Sequence, residues 1–213
     1  RTDLKHFEYK VEFSPGQNFH LLFKSHGGVF LFRNAENHRY FLTKIEAFLM
    51  PVFNFYAWST LGNHAHFVIS VKRPEEVVAF FKTNVEMHRS LCVQQLFSTP
   101  DAAALQFVIT RQVNSMLASY THSYNKYYGR KGGLFQSPFR RSIIDDPPHL
   151  KRSIVYVHKN AEQHGLIKDF RCYPYSSYDD IISNASSMVD VKKVLDIFGG
   201  KDEFVNAHLI KEA

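Results

Sequence analysis

The sequence has 213 residues and a formal net charge of +6, which suits one domain with appendages and favours an anionic partner, most commonly nucleic acid. Its two cysteines, Cys92 and Cys172, lie far apart without a CxxC pattern, which excludes a disulfide framework and a zinc finger. No signal peptide is recognisable and no apolar run approaches the roughly 20 residues of a membrane span, so we expect a cytoplasmic bacterial protein with no membrane partner.

The first part of the sequence predicts a strand, a helix and a β-hairpin. Phe19 to Phe23 is a short apolar run typical of a strand. A helix is predicted from about Ala35 to Met50, with Asn34 as its N-cap. Residues 52–60 and 64–72 then predict two antiparallel strands joined by a tight turn, and this hairpin is the clearest feature of the sequence.

The second part predicts mainly helices. The predicted elements are a helix beginning at Pro74, a polar insertion or loop from about Leu91 to Ala104, a helix over Val108–Tyr128, a strand over Phe139–Ile144, a helix from about Asp146 to His164, and one or two peripheral helices after Tyr178. The order β-α-β-β-α-α-β-α predicts an α+β fold. We expect a single central antiparallel β-sheet, of the RRM or ferredoxin-like kind, with helices packed mainly on one face.

Two histidines occupy alternate positions at the start of the second hairpin strand. Side chains two residues apart on a strand face the same side, about 7 Å apart at the backbone, so the rings of His64 and His66 could converge on one ion. Neutral imidazole is the commonest metal ligand in proteins. The alternative is two unrelated surface histidines in a chain that contains 12 of them, and the spacing alone leaves both interpretations open.

The last core helix offers a second pair of reactive groups. Tyr156 and Asn160 are four residues apart and therefore share one helical face, with Cβ atoms about 5–6 Å apart. A phenol and an amide oxygen could thus meet at one spot. The alternative is a half-buried tyrosine and a polar residue near the end of a helix. Tyr127 and Tyr128 compete as candidate nucleophiles, although they lie beside a basic loop.

A basic, glycine-containing segment, residues 130–141, is a candidate for contact with nucleic acid. Glycine lets a backbone approach a phosphate closely, and Lys and Arg neutralise phosphate charge. Phe135 and Phe139 could stack on unpaired bases, although core packing is an alternative for at least one of them. A merely solvated loop is the other interpretation. The candidate DNA-binding residues are Arg130, Lys131, Gln136, Arg140, Arg141 and, on the last core helix, Lys159.

Three stretches in order resemble the single-tyrosine transposases of the HUH superfamily, which include insertion-sequence and REP-associated tyrosine transposases. NHAHF at residues 63–67 is similar to the family's His-hydrophobe-His motif, and GRKGGLFQ at 129–136 to its Asn-Gly-Arg-Gly-Leu-Phe-Gln run. YVHKNAEQHGL followed by YPYSSY is similar to its Tyr-Ile-His-x-Asn-Pro helix and Ser-Ser-Tyr segment. The resemblance spans about residues 19–178, and Ala161 replaces the usual proline.

The resemblance implies a transposase domain over residues 1–180 and a C-terminal helical extension over residues 181–213. It implies that His64, His66 and Asn160 hold a divalent metal, Mg²⁺ or Mn²⁺. Tyr156 would be the nucleophile that forms a covalent 5′-phosphotyrosine intermediate. The implied partner is single-stranded DNA at hairpin-containing element ends, and either a monomer or a homodimer is compatible with the resemblance.

Two other functions stay open at the level of sequence. A catalytically silent protein derived from a transposase would bind single-stranded nucleic acid without cutting it. A metal-dependent hydrolase would use the two histidines and a metal-activated water, and would not need a tyrosine.

Overall fold

The computed structural model describes residues 11–84 and 91–210. Within these ranges the strands are β1 (Asn18–Lys24), β2 (Phe53–Leu61), β3 (His64–Val71) and β4 (Arg140–Ile144), and the helices are α1 (Ala35–Leu49), α2 (Pro74–Thr83), α3 (Leu91–Ser98), α4 (Ala102–Tyr128), α5 (Pro147–Gln163), α6 (Tyr178–Ser183), α7 (Val191–Phe198) and α8 (Lys201–Leu209). The strands form one antiparallel sheet in the order β2-β3-β1-β4. The predicted α+β fold with a single antiparallel sheet is confirmed.

Local signals place the helix ends close to their predicted positions. The side chain of Asn34 accepts a hydrogen bond from the backbone N–H of Asn37 and begins α1, as predicted. The side chain of Asp146 begins α5 in the same way, with two prolines directly after it. Gly129 ends α4 in the left-handed conformation, which a residue with a side chain rarely adopts.

The prediction of a loop over Leu91–Ala104 is wrong, because α3 and the beginning of α4 occupy this segment, whereas its being an insertion stays a prediction. Val93 and Leu96 lie three residues apart, are fully buried and turn one face of α3 toward the core. The Asp101 side chain caps α4 by accepting from the backbone N–H of Ala104. The apolar face of α3 consists of only two or three residues, so the helical pattern is hard to recognise among the surrounding polar residues of the sequence.

Helices cover both faces of the sheet rather than mainly one. On one face the ring of Phe23 packs against Phe41 of α1, which in turn contacts Tyr120 of α4. On the other face the ring centroid of His20 lies 5.8 Å from that of Tyr156 on α5. The central strands are therefore buried on both sides, and α5 is held directly against the strand that carries the histidine pair.

The segment after residue 180 joins the same core. Val194, Phe198 and Phe204 are buried, and α7 and α8 both pack against α5. The backbone N–H of Asp190 donates to the carbonyl of Phe55, so this segment also contacts the edge strand β2. The division of the chain at residue 180 stays a prediction. In the described ranges no helix combines the length and apolar character that crossing a membrane requires.

Candidate metal and nucleophile site

The fold brings the predicted histidine pair and the predicted tyrosine together. The ring centroids of His64 and His66 lie 5.0 Å apart on β3, and the centroid of Tyr156 lies 5.8 Å from that of His66. β3 is paired with β2 and β1 along its length, so the position of both histidines is fixed by two ladders of backbone hydrogen bonds.

Asn160 lies one helical turn after Tyr156 and is fully buried. Within the described part of the chain, neither its Oδ1 nor its Nδ2 atom has a hydrogen-bond partner of good geometry. Its amide is nevertheless close enough to raise the pKa of His64 and to lower that of Tyr156, in both cases against a larger effect of burial. A buried amide without a well-aligned partner costs about 1–3 kcal/mol, so this amide is available to a ligand.

Hydrogen bonds from neighbouring side chains orient both histidine rings. Nδ1 of His64 lies 2.7 Å from Oδ1 of Asn63, which can only accept, so Nδ1 carries the proton and Nε2 keeps its lone pair. Nδ1 of His66 lies 2.8 Å from Nε2 of His20. When His20 accepts this bond, Nε2 of His66 also keeps its lone pair. Metal-binding imidazoles are commonly held in this way by a partner on the second nitrogen.

Burial keeps these rings neutral. It lowers the pKa of His64 to about 4 and that of His20 to about 3, and it lowers the pKa of His66 well below 6.5. The positive charge of Lys24 and the ring of His164 add to the effect on both His64 and His66. Neutral imidazoles can bind a metal without first releasing a proton. Burial also raises the pKa of the Tyr156 phenol, which disfavours the phenolate before substrate binds.

The donor set fits a divalent cation only if the amide takes part. Among the residues described, no three His, Cys, Asp or Glu side chains form a group that could hold a metal ion. His64 and His66 supply two neutral nitrogens, and the unsatisfied Oδ1 of Asn160 supplies the third donor. Two imidazoles and an amide oxygen leave open positions on a six-coordinate ion such as Mg²⁺ or Mn²⁺.

Three of the candidate DNA-binding residues lie in the basic loop, and one lies on the sheet beside the site. Arg130 donates to the carbonyls of Gly132 and Gly133 and so holds the loop in shape. Lys131 is exposed. Gln136 is tied by its side chain to the carbonyl of Ser25, and Arg140 shares the sheet face of His20 and His66.

The other two cationic candidates are directed away from the site. Arg141 is buried on the opposite sheet face, donates to the carbonyl of Val11 and lies 4.6 Å from the ring centroid of Phe13, so a DNA contact is not expected of it. Lys159 lies near the carbonyl of Ile210, at 3.4 Å. Phe135 and Phe139 are buried, so core packing describes both of them and stacking on bases does not.

The site also contains residues that sequence reasoning missed, namely His20, Lys24 and His164. His20 and Lys24 lie on β1 at even spacing, and Lys24 is the register partner of His64. A histidine inside the apolar run FHLLF was the available signal. His164 follows Asn160 by four residues, and its ring centroid lies 5.4 Å from that of His64. The same helical spacing that paired Tyr156 with Asn160 could have added it.

Comparison with known proteins identifies similar chains in sequence and in fold. No family model matches the sequence. A Haemophilus influenzae protein named as a REP-associated tyrosine transposase is 29% identical over 76 residues, which cover 36% of this chain and 42% of that relative. A solved structure of a REP-associated tyrosine transposase bound to a REP hairpin shares the fold, with a TM-score of 0.53 and 13% identity over 86% of this chain and 88% of that one. The resemblance of this chain to the REP-associated tyrosine transposases is therefore confirmed.

Proposed function

We propose that this protein cuts and rejoins single-stranded DNA in a metal-dependent reaction that passes through a covalent 5′-phosphotyrosine at Tyr156. The observation that carries the proposal is the buried Asn160 amide. It has no hydrogen-bond partner of good geometry in the described residues, and it lies close to the neutral imidazole of His64 and to the phenol of Tyr156. This arrangement destabilises the fold unless a ligand uses it.

The chemical step assigns one role to each group. The hydroxyl oxygen of Tyr156 attacks the scissile phosphorus, the bond from phosphorus to the 3′-oxygen breaks, and the phenolic proton ends on that 3′-oxygen. The phosphate stays bonded to the 5′-oxygen of the downstream strand, so the energy of the phosphodiester is kept. Attack by another 3′-hydroxyl reverses the step and rejoins the strand without ATP.

The residues around Tyr156 hold the metal and the phosphate in place. His64 and His66 would bind the cation through Nε2, and Asn160 through Oδ1. When bound, a divalent cation supplies positive charge that stabilises the developing charge on the phosphate oxygens. Lys24 and Arg140 lie on the same sheet face and add positive charge for the strand on either side of the scissile phosphate.

The proposed substrate is a single strand next to a DNA hairpin. The net charge of +6 favours a polyanion, and the structural neighbour was solved with a REP hairpin. A single strand exposes its base faces as well as its phosphates, whereas stacking in a duplex hides the base faces. We propose that this reaction takes place in the bacterial cytoplasm and that the protein works as a monomer or as a homodimer.

A catalytically silent DNA-binding protein is the second candidate, and one observation favours it. Burial raises the pKa of Tyr156, so at neutral pH the phenol starts protonated and is a weak nucleophile. A chain that binds DNA and never attacks it would have the same fold and the same charge.

Covalent attachment of DNA separates these functions. The purified protein is incubated with labelled single strands from the flanks of its own gene, with Mg²⁺, Mn²⁺ or EDTA, and adducts are resolved on a denaturing gel and mapped by mass spectrometry. We expect a metal-dependent adduct at Tyr156 that is absent in Tyr156→Phe. Tyr175→Phe, in a half-buried tyrosine stacked on His38, is the matched control.

Each other outcome points to a specific alternative. Tight binding of flank DNA without an adduct would replace the proposal with the silent binding protein. Metal-dependent cutting that survives Tyr156→Phe would replace it with a hydrolase that activates water.

A further inference from the structure

A cleft between α1 and α4 lies on the sheet face opposite to Tyr156. Its volume is about 270 Å³, close to the lower end of the range for ligand pockets. Five tyrosines line it: Tyr40, Tyr120, Tyr124, Tyr127 and Tyr128. The proposed reaction uses none of them.

Most of the tyrosine hydroxyls in the cleft are already engaged within the protein. Tyr120 and Tyr124 donate to the carbonyls of Leu31 and Phe30, Tyr128 donates to Asn37, and Tyr40 shares a hydrogen bond with Ser123. The cleft therefore presents mainly ring surfaces, with few free tyrosine hydroxyls. Such a surface suits a flat, apolar or aromatic ligand that stacks.

Tyr127 is the most exposed aromatic side chain of the cleft. Its exposed fraction is 72%, and the ring of Tyr128 lies beside it. Burying an aromatic ring is favourable, so this ring would gain from contact with a partner. An exposed tyrosine at the edge of an aromatic cleft is a surface on which a partner can stack.

Two cations contact the rings of the cleft. The guanidinium of Arg33 lies 4.3 Å from the ring centroid of Tyr128, and the ammonium of Lys44 lies 5.0 Å from that of Tyr40. Lys126, Arg130 and Lys131 follow in sequence, at the end of α4 and in the basic loop. The acidic Glu36 lies in the wall of the cleft and disfavours an anion inside it. An aromatic interior with a cationic rim is complementary to a nucleotide whose base enters and whose phosphates stay outside.

The cleft is connected to the metal and nucleophile site through the basic loop. The backbone N–H of Gln136 donates to the carbonyl of Lys24, the register partner of His64. On the other side of the cleft, the carbonyl of Phe30 receives the hydroxyl of Tyr124, and the ring of Phe30 packs against Gly62 in the turn before His64. The basic loop therefore joins the end of α4, which lines the cleft, to the end of β1 beside His64.

We propose that the tyrosine cleft binds an unpaired base of the same DNA strand that occupies the site at Tyr156, with Tyr127 as the stacking surface. This inference rests on the proposed function, because it assumes that the ligand is single-stranded DNA. It assigns to Tyr127 a role in binding and none in the chemical step.

The test is a set of binding measurements on the full chain with single strands from the flanks of its gene. Tyr127→Ala is expected to weaken binding about 5- to 150-fold, the range that the loss of one base–aromatic stack produces. Tyr127→Phe keeps the ring and should restore most of the affinity. Phe107→Ala is the matched control, because Phe107 is also on α4 and is 57% exposed but lies outside the cleft. The affinity of this variant for the DNA strand should equal that of the unaltered chain.

A scan of single abasic positions in the strand locates the base. Loss of the base at one position should weaken binding to the unaltered chain. The same loss should not further weaken binding to Tyr127→Ala, since both changes remove the same contact. Equal affinities for Tyr127→Ala and Phe107→Ala would overturn the inference. The unaltered chain then decides which idea has failed: an adduct at Tyr156 would leave the proposed function intact, whereas strands that neither bind nor react would remove both.

Discussion

The Nδ1 atom of His158 lies 2.8 Å from the Nε2 atom of His208, and both rings are completely buried. Nε2 of His158 lies 2.9 Å from the hydroxyl of Ser177, and Nδ1 of His208 donates to the carbonyl of Phe204. With both rings neutral, every nitrogen in this chain of hydrogen bonds has a partner. The bonds join α8 to the middle of α5, one half-turn from each of the two proposed functional side chains of that helix.

Removing one ring of this pair should destabilise the fold. His208→Ala leaves a cavity and a buried N–H of His158 without a partner, so we expect the free energy of unfolding to fall by about 2–4 kcal/mol. Urea denaturation followed by circular dichroism measures the change. His208→Gln retains an acceptor for His158 and should lose clearly less. An equal loss in the two variants would show that the hydrogen bond contributes little.

Asn160 should behave in the opposite way. Asn160→Leu keeps the volume and removes a buried amide that makes no hydrogen bond of good geometry in the described residues, so stability should stay within about 1 kcal/mol or increase. Mn²⁺ binding and adduct formation should both be lost. Thermal unfolding tests the effect of the substitution on stability, and Mn²⁺ titration tests its effect on metal binding. A strongly destabilised variant would mean that the amide is structural.

His20 should influence the metal through His66. His20→Phe preserves the buried ring but removes the acceptor 2.8 Å from Nδ1 of His66. We expect Mn²⁺ affinity to fall about 10- to 100-fold, the usual effect of losing a partner that orients a ligand. Titration of the protein with Mn²⁺ is the measurement, and His164→Phe is a comparison variant on the exposed side of His64. Unchanged Mn²⁺ affinity in His20→Phe would count against this role.

Two adjacent arginines should have separate roles. Arg140 faces the site, so Arg140→Ala should lower the affinity for single-stranded DNA about 3- to 10-fold. The salt dependence of binding should decrease by the equivalent of about one phosphate contact, and Tm should change little. Arg141 is buried against Phe13, so Arg141→Ala should lower Tm by several degrees. Binding at two or more salt concentrations and thermal melts test both. Reversed effects would contradict the assignment of the two side chains to opposite faces of the sheet.

Acid should destabilise the protein before its carboxylates titrate. Burial lowers the pKa of His38 and of His208 to about 4, from 6.5. As pH falls through 6.5, each of these two rings gains a proton in the unfolded chain but not in the folded chain. The free energy of unfolding therefore decreases by up to about 1.4 kcal/mol per pH unit for each histidine, until pH 4 is reached. Above about pH 7.5 these two groups contribute no slope. Urea denaturation between pH 8 and pH 5 measures how the free energy of unfolding depends on pH. In His38→Gln this dependence should be weaker by the contribution of one histidine.

The sequence predicted the parts of this molecule that depend on short-range patterns. Alternation along β2 and β3, the Asn34 and Asp146 caps, and the i,i+4 pair Tyr156 and Asn160 are local, and the structure places all of them as expected. These patterns are sufficient because strand pairing, capping and helical spacing are each decided within a few residues.

The features that the sequence did not predict depend on contacts between distant residues. His20 joins the site only because β1 pairs with β3, which is 46 residues away along the chain. The burial of Arg141 depends on Phe13 and Val11, in a segment that shows no periodic pattern. The one or two helices after Tyr178 were expected to be peripheral, whereas α7 and α8 complete the packing of α5. His158 and Phe204 are partners that only the folded chain brings together.

The strand that carries His64 and His66 lies in the interior of the sheet, with a hydrogen-bonded neighbour on either edge. Its geometry is thus set by the backbone before any cation arrives, in contrast to small metal-dependent domains that fold only around their ion. Chemistry and architecture are consequently separable in this chain. If the proposed function is correct, a single substitution at Tyr156 or Asn160 leaves a folded protein that still binds DNA, so a descendant that binds a strand without cutting it is one mutation away.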